Sequence, residues 1–222
     1  MPTLSIDFET RSRVDIKTQG VYRYAEDPST DVLCLAWAID DGPVQIWLPD
    51  TVMPDALVAA LLDETCEVRA WNAAFERCIW REVLQKKYVA WPIALERWHD
   101  TAAEAAAMSL PRALGKCAEV LGITEQKDEE GNRAMRRLCA PRTAGKLKGE
   151  FIMPDEEPET YAKLYAYCMQ DVRTERAIVP SLRRLSPTER RVYLLNESMN
   201  DRGVRLDVGL TVAAQGIVDE GL

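Results

Sequence analysis

Extended segments crowd the first hundred residues of this chain and helical ones fill the remainder, and that order restricts the fold more than any other feature. Leu4 to Glu9 alternates after Pro2, Val32 to Asp40 is a long apolar run, and Val44 to Trp47 follows an Asp-Asp-Gly-Pro turn at Asp40 to Pro43. These are three predicted strands. Pro54 to Leu62 has helical apolar spacing with Pro at its start, Cys66 to Trp71 is a further strand, and Ala73 to Lys86 is a helix with Asn72 as its N-cap. A sheet finished by about residue 100, followed by helices, belongs to the α/β class. Helices are predicted over Thr101 to Met108, Pro111 to Leu121, near Asn132 to Cys139, and from about Glu157 to Leu182. Ser186-Pro187-Thr188-Glu189 opens another in capping-box order, and Gly203 with the alternation Val204, Leu206, Val208 predicts a turn and a short extended piece.

Composition narrows the chemistry. The 222 residues are 47% hydrophobic and 29% charged, enough to bury roughly 70% of the unfolded surface. Disorder, collagen-like repeats and a small disulfide scaffold are excluded. The longest apolar run, Val32 to Ile39, falls short of the roughly 18 residues of a membrane span, and no basic-then-apolar leader is present. A cytoplasmic protein without membrane attachment is expected. Six cysteines stand without a Cys-x-x-Cys pair, so they read as reduced thiols rather than zinc ligands or disulfides. The one histidine, His99, removes most imidazole mechanisms. A net charge of -8 argues against general nucleic-acid coating but leaves room for a local basic groove. Such a segment lies between Gly131 and Gly149, where Arg133, Arg136, Arg137, Arg142, Lys146 and Lys148 have no Asp or Glu among them. Gly145 and Gly149 predict a mobile loop there, either phosphate-facing or a solvated face.

Chemistry is therefore expected from carboxylates. Asp7 and Glu9 lie two apart on the first strand and share a face. Tyr167 and Asp171 lie four apart on a helix and share one too. Glu76 sits in the first turn of the helix leaving the Cys66 to Trp71 strand, where α/β connections bring side chains to the functional edge. Each piece alone has a structural reading, as a solvent-facing pair or as an acid favouring a helix dipole. Together, four acids without histidine or cysteine suit two Mg²⁺ or Mn²⁺ ions, which held roughly 4 Å apart serve phosphodiester hydrolysis.

The segments SIDFET (Ser5 to Thr10), WNAAFER (Trp71 to Arg77) and YCMQD (Tyr167 to Asp171) resemble, in order and spacing, the three motifs of DEDD 3′-5′ exonucleases (DnaQ-like), with Tyr167 placing the chain in the DEDDy branch. GVYRYAEDPSTDVLCLAWAIDDG, DTAAEAAAMSLPRALGKCAEVLG, KDEEGNRAMRRLCAPR and SPTERRVYLLNESMNDRGVRLD are similar to the exonuclease part of phage or prophage family-A DNA polymerases. The resemblance runs from Leu4 to about Asp207. It implies a ribonuclease-H-like mixed five-stranded sheet flanked by helices with a helical C-terminal extension, an exonuclease domain over 1–185, and over 186–222 a linker resembling the start of a polymerase region.

The same resemblance implies that Asp7, Glu9 and Asp171 are metal ligands and that Tyr167 orients or helps deprotonate the attacking water. Thr10, Asn72 and Phe75 match substrate-side positions. The second motif usually ends in Asp where this chain has Glu76, one methylene longer, which bears on the geometry of the second metal. Glu76 is assigned to the site because a longer carboxylate can reach through water. Asp100, the nearest alternative acid, resembles a structural Asp-Thr pair after a strand. The expected activity is metal-dependent removal of nucleotides from DNA 3′ ends, single-stranded or frayed, in proofreading beside a polymerase domain in cis or in trans. A chain of this length is not expected to polymerise DNA itself. Two alternatives are a non-catalytic DNA-binding or polymerase-docking module with a decayed site, and a ribonuclease-D-like RNA exonuclease.

Overall fold

A computed structural model describes residues 1–88, 90–123 and 129–221. The chain divides into two compact units, Met1–Arg184 and Leu185–Leu222. The first unit begins with β1 (Thr3–Arg11), α1 (Ile16–Glu26), the hairpin β2 (Asp31–Ile39) and β3 (Gln45–Trp47), α2 (Asp55–Leu62) and β4 (Glu67–Ala70). A composite helix follows, as α3 (Ala73–Ile79), a π turn over Trp80–Leu84 and a last turn α4 (Gln85–Lys87). Next come β5 (Trp98–Asp100), α5 (Thr101–Ala107), α6 (Leu114–Val120), α7 (Glu129–Leu138) and the long α8 (Pro158–Ile178).

The five strands form one sheet in the order β3-β2-β1-β4-β5. β1 pairs antiparallel with β2 and parallel with β4, β2 is antiparallel to β3, and β4 is parallel to β5. This is the mixed, helix-flanked α/β sheet that the ribonuclease-H-like resemblance implies, with β1 at its centre. Strand alternation assigns the two faces. Leu4, Ile6 and Phe8 of β1 enter a core with Leu35, Trp37, Ile79 and Trp80, each large side chain contributing about 1.5–3 kcal/mol by burial. β2 is covered on both faces, which is why it reads as an unbroken apolar run. Its Cys34, Ala36 and Ala38 face Cys168 and Val172 of α8, and these small residues let the helix lie close to the sheet.

Four expectations need correction. Asn72 stands at the N-cap of α3, but in the left-handed region (φ 67°) and with no side-chain capping bond; its backbone N–H donates instead to Asp100 Oδ1 at 3.1 Å. The helix expected from Pro111 starts only at Leu114. The helix expected near Asn132 to Cys139 forms as α7, but the loop expected to be mobile around Gly145 and Gly149 is a turn closed by Arg142 N–H to Glu150 O and Gly149 N–H to Arg142 O, both 2.9 Å. The extended piece expected at 204–208 forms no strand, and Val208 instead opens a helix.

In the second unit, α9 (Pro187–Arg202) carries the predicted capping box in full, with Ser186 and Glu189 each bonding the other's backbone N–H. Gly203 ends it at φ 69°, a conformation glycine adopts without strain. α10 (Val208–Gly221) follows, with Leu210, Val212, Ile217 and Val218 exposed. No described helix is long and apolar enough to cross a membrane. All six thiols are free. Trp37, Trp47, Trp80 and Trp98 are core residues, and Trp91 is exposed.

Candidate active site

The central strand and the long helix bring their polar residues to one place. Asp7, Glu9, Glu76, Tyr167 and Asp171 all line a single cleft of about 540 Å³. Asp7 and Glu9 leave the face of β1 opposite Leu4, Ile6 and Phe8, and the β1–β2 register shifts between Glu9 and Thr10, an irregularity of the kind that re-aims side chains at a strand end. Tyr167 and Asp171 descend from α8, one helical turn apart. Glu76 comes from the first turn of α3 and is almost wholly buried, at 3% exposure.

Crowding of these acids shows in their proton affinities. Burial, then repulsion from Asp171, Glu9 and Glu76, pushes the Asp7 carboxyl well above the ordinary carboxylate range. Burial and Asp171 push Glu9 up to about 8. Glu76 is raised by burial and by Asp100, Glu175 and Glu9, while its own backbone N–H partly offsets this. Its Oε2 is buried without a hydrogen-bond partner. A buried carboxylate oxygen with no partner is costly, and the cost falls when a proton or a cation arrives. Burial, reinforced by Asp171 and Glu9, likewise pushes the Tyr167 phenol up, so it keeps its proton at neutral pH.

Among the described residues, no three Asp, Glu, His or Cys side chains already converge as a ligand set for a metal ion. The donor chemistry nevertheless fits a hard divalent cation. Four crowded carboxylates, no imidazole, and the partnerless Oε2 of Glu76 offer oxygen donors to such an ion.

The expected substrate-side residues divide. Thr10 and Phe75 line the cleft, and Thr10 is fixed by a 2.7 Å hydrogen bond between its Oγ1 and the Tyr24 hydroxyl. Asn72 is not among the lining residues. Of the six basic residues, Arg136 lines the cleft. Arg137 pairs with Glu157, and Arg142 pairs with Glu156 at 2.6 Å. Arg133 faces a separate groove with Glu130 and Lys163. Lys146 and Lys148 are exposed on the closed turn beyond. Asp100 caps α5, accepting from Ala103 N–H at 3.1 Å, which accounts for it structurally.

Several cleft residues escape a reading by spacing. Arg13 and Lys17, after β1, add positive charge to the lining, and the Arg13 guanidinium donates to Gly149 O. Two thiols touch the acids: Cys168 Sγ lies 3.3 Å from Asp7 O and 3.4 Å from Asp7 Oδ2, and Cys139 Sγ lies 3.8 Å from Glu9 Oε2. Burial pushes both thiols up, so they act as neutral donors rather than thiolates. The only signal in the sequence was that Cys168 follows Tyr167 in the same motif.

No family model matches the chain. The chain is similar to a DNA polymerase of Bacillus phage SP02, with 36% identity over 217 residues, 95% of this chain and 33% of that protein. It therefore spans about a third of the length of the curated relative it matches, and the likeness runs over that third alone.

Proposed function

We propose that this chain is a metal-dependent 3′-5′ exonuclease that hydrolyses DNA from single-stranded or frayed 3′ ends to nucleoside monophosphates, in proofreading beside a polymerase. The observation that carries the reading is the meeting of Asp7, Glu9, Glu76, Asp171 and Tyr167 in one cleft whose rim is basic. Likeness to part of a phage DNA polymerase favours DNA over RNA as substrate. Asp7, Glu9 and Asp171, with Glu76 alongside, are the residues that would hold Mg²⁺ or Mn²⁺. Two such ions, when bound, supply electrostatic stabilisation of the attacking and leaving oxygens.

The chain's own residues do the rest. Net hydrolysis adds water to the phosphorus and returns the proton to the departing 3′ oxygen. Tyr167, protonated at neutral pH, is suited to orient that water by hydrogen bonding, not to take its proton. Cys168 and Cys139, as neutral donors, hold the Asp7 and Glu9 carboxyls against the cleft wall. Phe75 supplies an apolar surface for the terminal base, and Arg13 and Arg136 supply charge for phosphates.

A time course on 5′-labelled single-stranded DNA, with Mg²⁺, Mn²⁺ or chelator, tests the reading. A ladder shortening from the 3′ end, lost with chelator, is expected, and an RNA strand of the same sequence should shorten more slowly. DNA that is bound yet stays intact with both metals would leave a docking module with a decayed site. A second expectation concerns the rim. Arg136→Gln should weaken single-strand binding similarly across sequences and flatten the plot of log affinity against log salt by about 0.7. Arg137→Gln and Arg142→Gln should change that slope less, because Glu157 and Glu156 already occupy those guanidinium groups. Equal slopes in all three variants would remove Arg136 from the DNA path.

A further inference from the structure

Helix α7 presses on the tyrosine of the cleft. Gly131 is buried in its first turn, and a Cβ there would stand 2.5 Å from Tyr167 Cβ, 2.7 Å from Cδ2 and 2.9 Å from Cγ. A glycine inside a helix destabilises it relative to alanine, and Gly131 is not among the positive-φ residues, so local conformation does not call for it. Close approach of α8 does. The side chain of the next residue, Asn132, lies close enough to the Tyr167 phenol to offset part of the upward push of burial. One residue thus seats the root of the ring and its neighbour stands at the tip.

The same helix reaches the rest of the cleft. Asn132 and Arg136 lie four apart and share a face of α7, as Tyr167 and Asp171 do on α8. Met135 and Arg136 line the cleft beside the acids. At the end of α7, Cys139 O accepts the Ser12 N–H at 3.1 Å, and Cys139 Sγ meets Glu9, so the helix is tied to the end of β1 as well. A phosphate held at Arg136 would be held by the element that holds the phenol.

We propose that Gly131 and Asn132 are positioning residues that fix the Tyr167 phenol over the cleft, coupling its orientation to DNA gripped by α7. This inference rests on the exonuclease reading for its consequence in the reaction, but its geometric core can be tested without cleavage.

The test uses the full chain with ring-¹³C tyrosine, assigning the Tyr167 signal by Tyr167→Phe. Asn132→Ala and Gly131→Ala are each expected to shift and broaden that signal while leaving the Tyr193 signal in place. In single-turnover cleavage at saturating DNA, Asn132→Ala should lower the rate about ten- to a hundredfold. Its DNA affinity in chelator should stay within about twofold, and it should cost less than about twofold in a Tyr167→Phe background. An unmoved Tyr167 signal, a wild-type rate, or an equal loss in both backgrounds would overturn the proposal. If Gly131→Ala fails to fold, Asn132→Ala, at a partly exposed position, still decides it. A wild-type chain that never cleaves, with the Tyr167 signal displaced in Asn132→Ala, would sink the exonuclease reading and leave the clamp standing.

Discussion

Asp7→Asn is expected to lower Mn²⁺-supported DNA cleavage by at least about a thousandfold, roughly 4 kcal/mol of transition-state stabilisation, and at the same time to raise the thermal midpoint of the metal-free protein at pH 8. Both effects have one cause. Burial, and then Asp171, Glu9 and Glu76, oppose the ionisation of Asp7, so the charge that would hold a cation destabilises the fold without one. Asparagine keeps the shape and still offers an oxygen to the Cys168 thiol, 3.4 Å from the native Oδ2. Cleavage rate and melting, measured on the same samples, check the pair of outcomes. Loss of activity with loss of metal-free stability would make Asp7 a structural residue. Glu76→Ala should cost about a hundredfold in rate for the same electrostatic reason. An unchanged rate there would mean that the site works without a carboxylate at the end of its second motif, and that the partnerless Oε2 is merely tolerated.

What the sequence made legible is what periodicity can carry. The two-residue spacing of Asp7 and Glu9 and the four-residue spacing of Tyr167 and Asp171 each put a pair on one face, and both pairs do line the cleft. The unbroken run at Val32–Ile39 marked a strand because both its faces are covered. Other features depend on partners distant along the chain. The stretch with no acid between Gly131 and Gly149 looked uncompensated, yet Glu157 and Glu156, from the segment leading into α8, neutralise Arg137 and Arg142 across space. Gly131 carries no signal of its own in the sequence, and only the approach of Tyr167 explains it. α1 escapes apolar spacing because Gly20, at φ 77°, breaks its helical geometry midway. At 204–208, three alternating apolar residues were too few to distinguish a strand from the approach to α10.

Stability should fall as pH rises, and divalent cation should reverse part of that fall. Folding raises the carboxyls of Asp7, Glu9, Glu76 and Glu175, the second and last of these to about 8. A carboxyl whose folded pKa exceeds its unfolded value binds more protons in the native state, so its stabilisation is complete below the unfolded pKa and is lost as pH climbs through the folded one. The window for Glu9 and Glu175 is therefore about pH 4.5 to 8. Each group contributes at most about 1.4 kcal/mol per pH unit there, and a metal-free midpoint lower by roughly 10 °C at pH 8 than at pH 5 is expected. The two groups separate under metal. A cation at Asp7 and Glu9 would favour their ionised forms and stabilise the fold by mass action. Glu175 does not line the cleft; its carboxyl bonds the Thr101 hydroxyl, which also bonds Ala70 O. With one hydroxyl proton to share, that chain is best satisfied when the Glu175 carboxyl donates to Thr101 and Thr101 donates to Ala70. Melting curves from pH 5 to 8, with chelator and with Mn²⁺, should thus show a slope that metal reduces and Glu175→Gln reduces further. A slope equally steep with and without Mn²⁺ would show that the carboxylates of the cleft hold no cation.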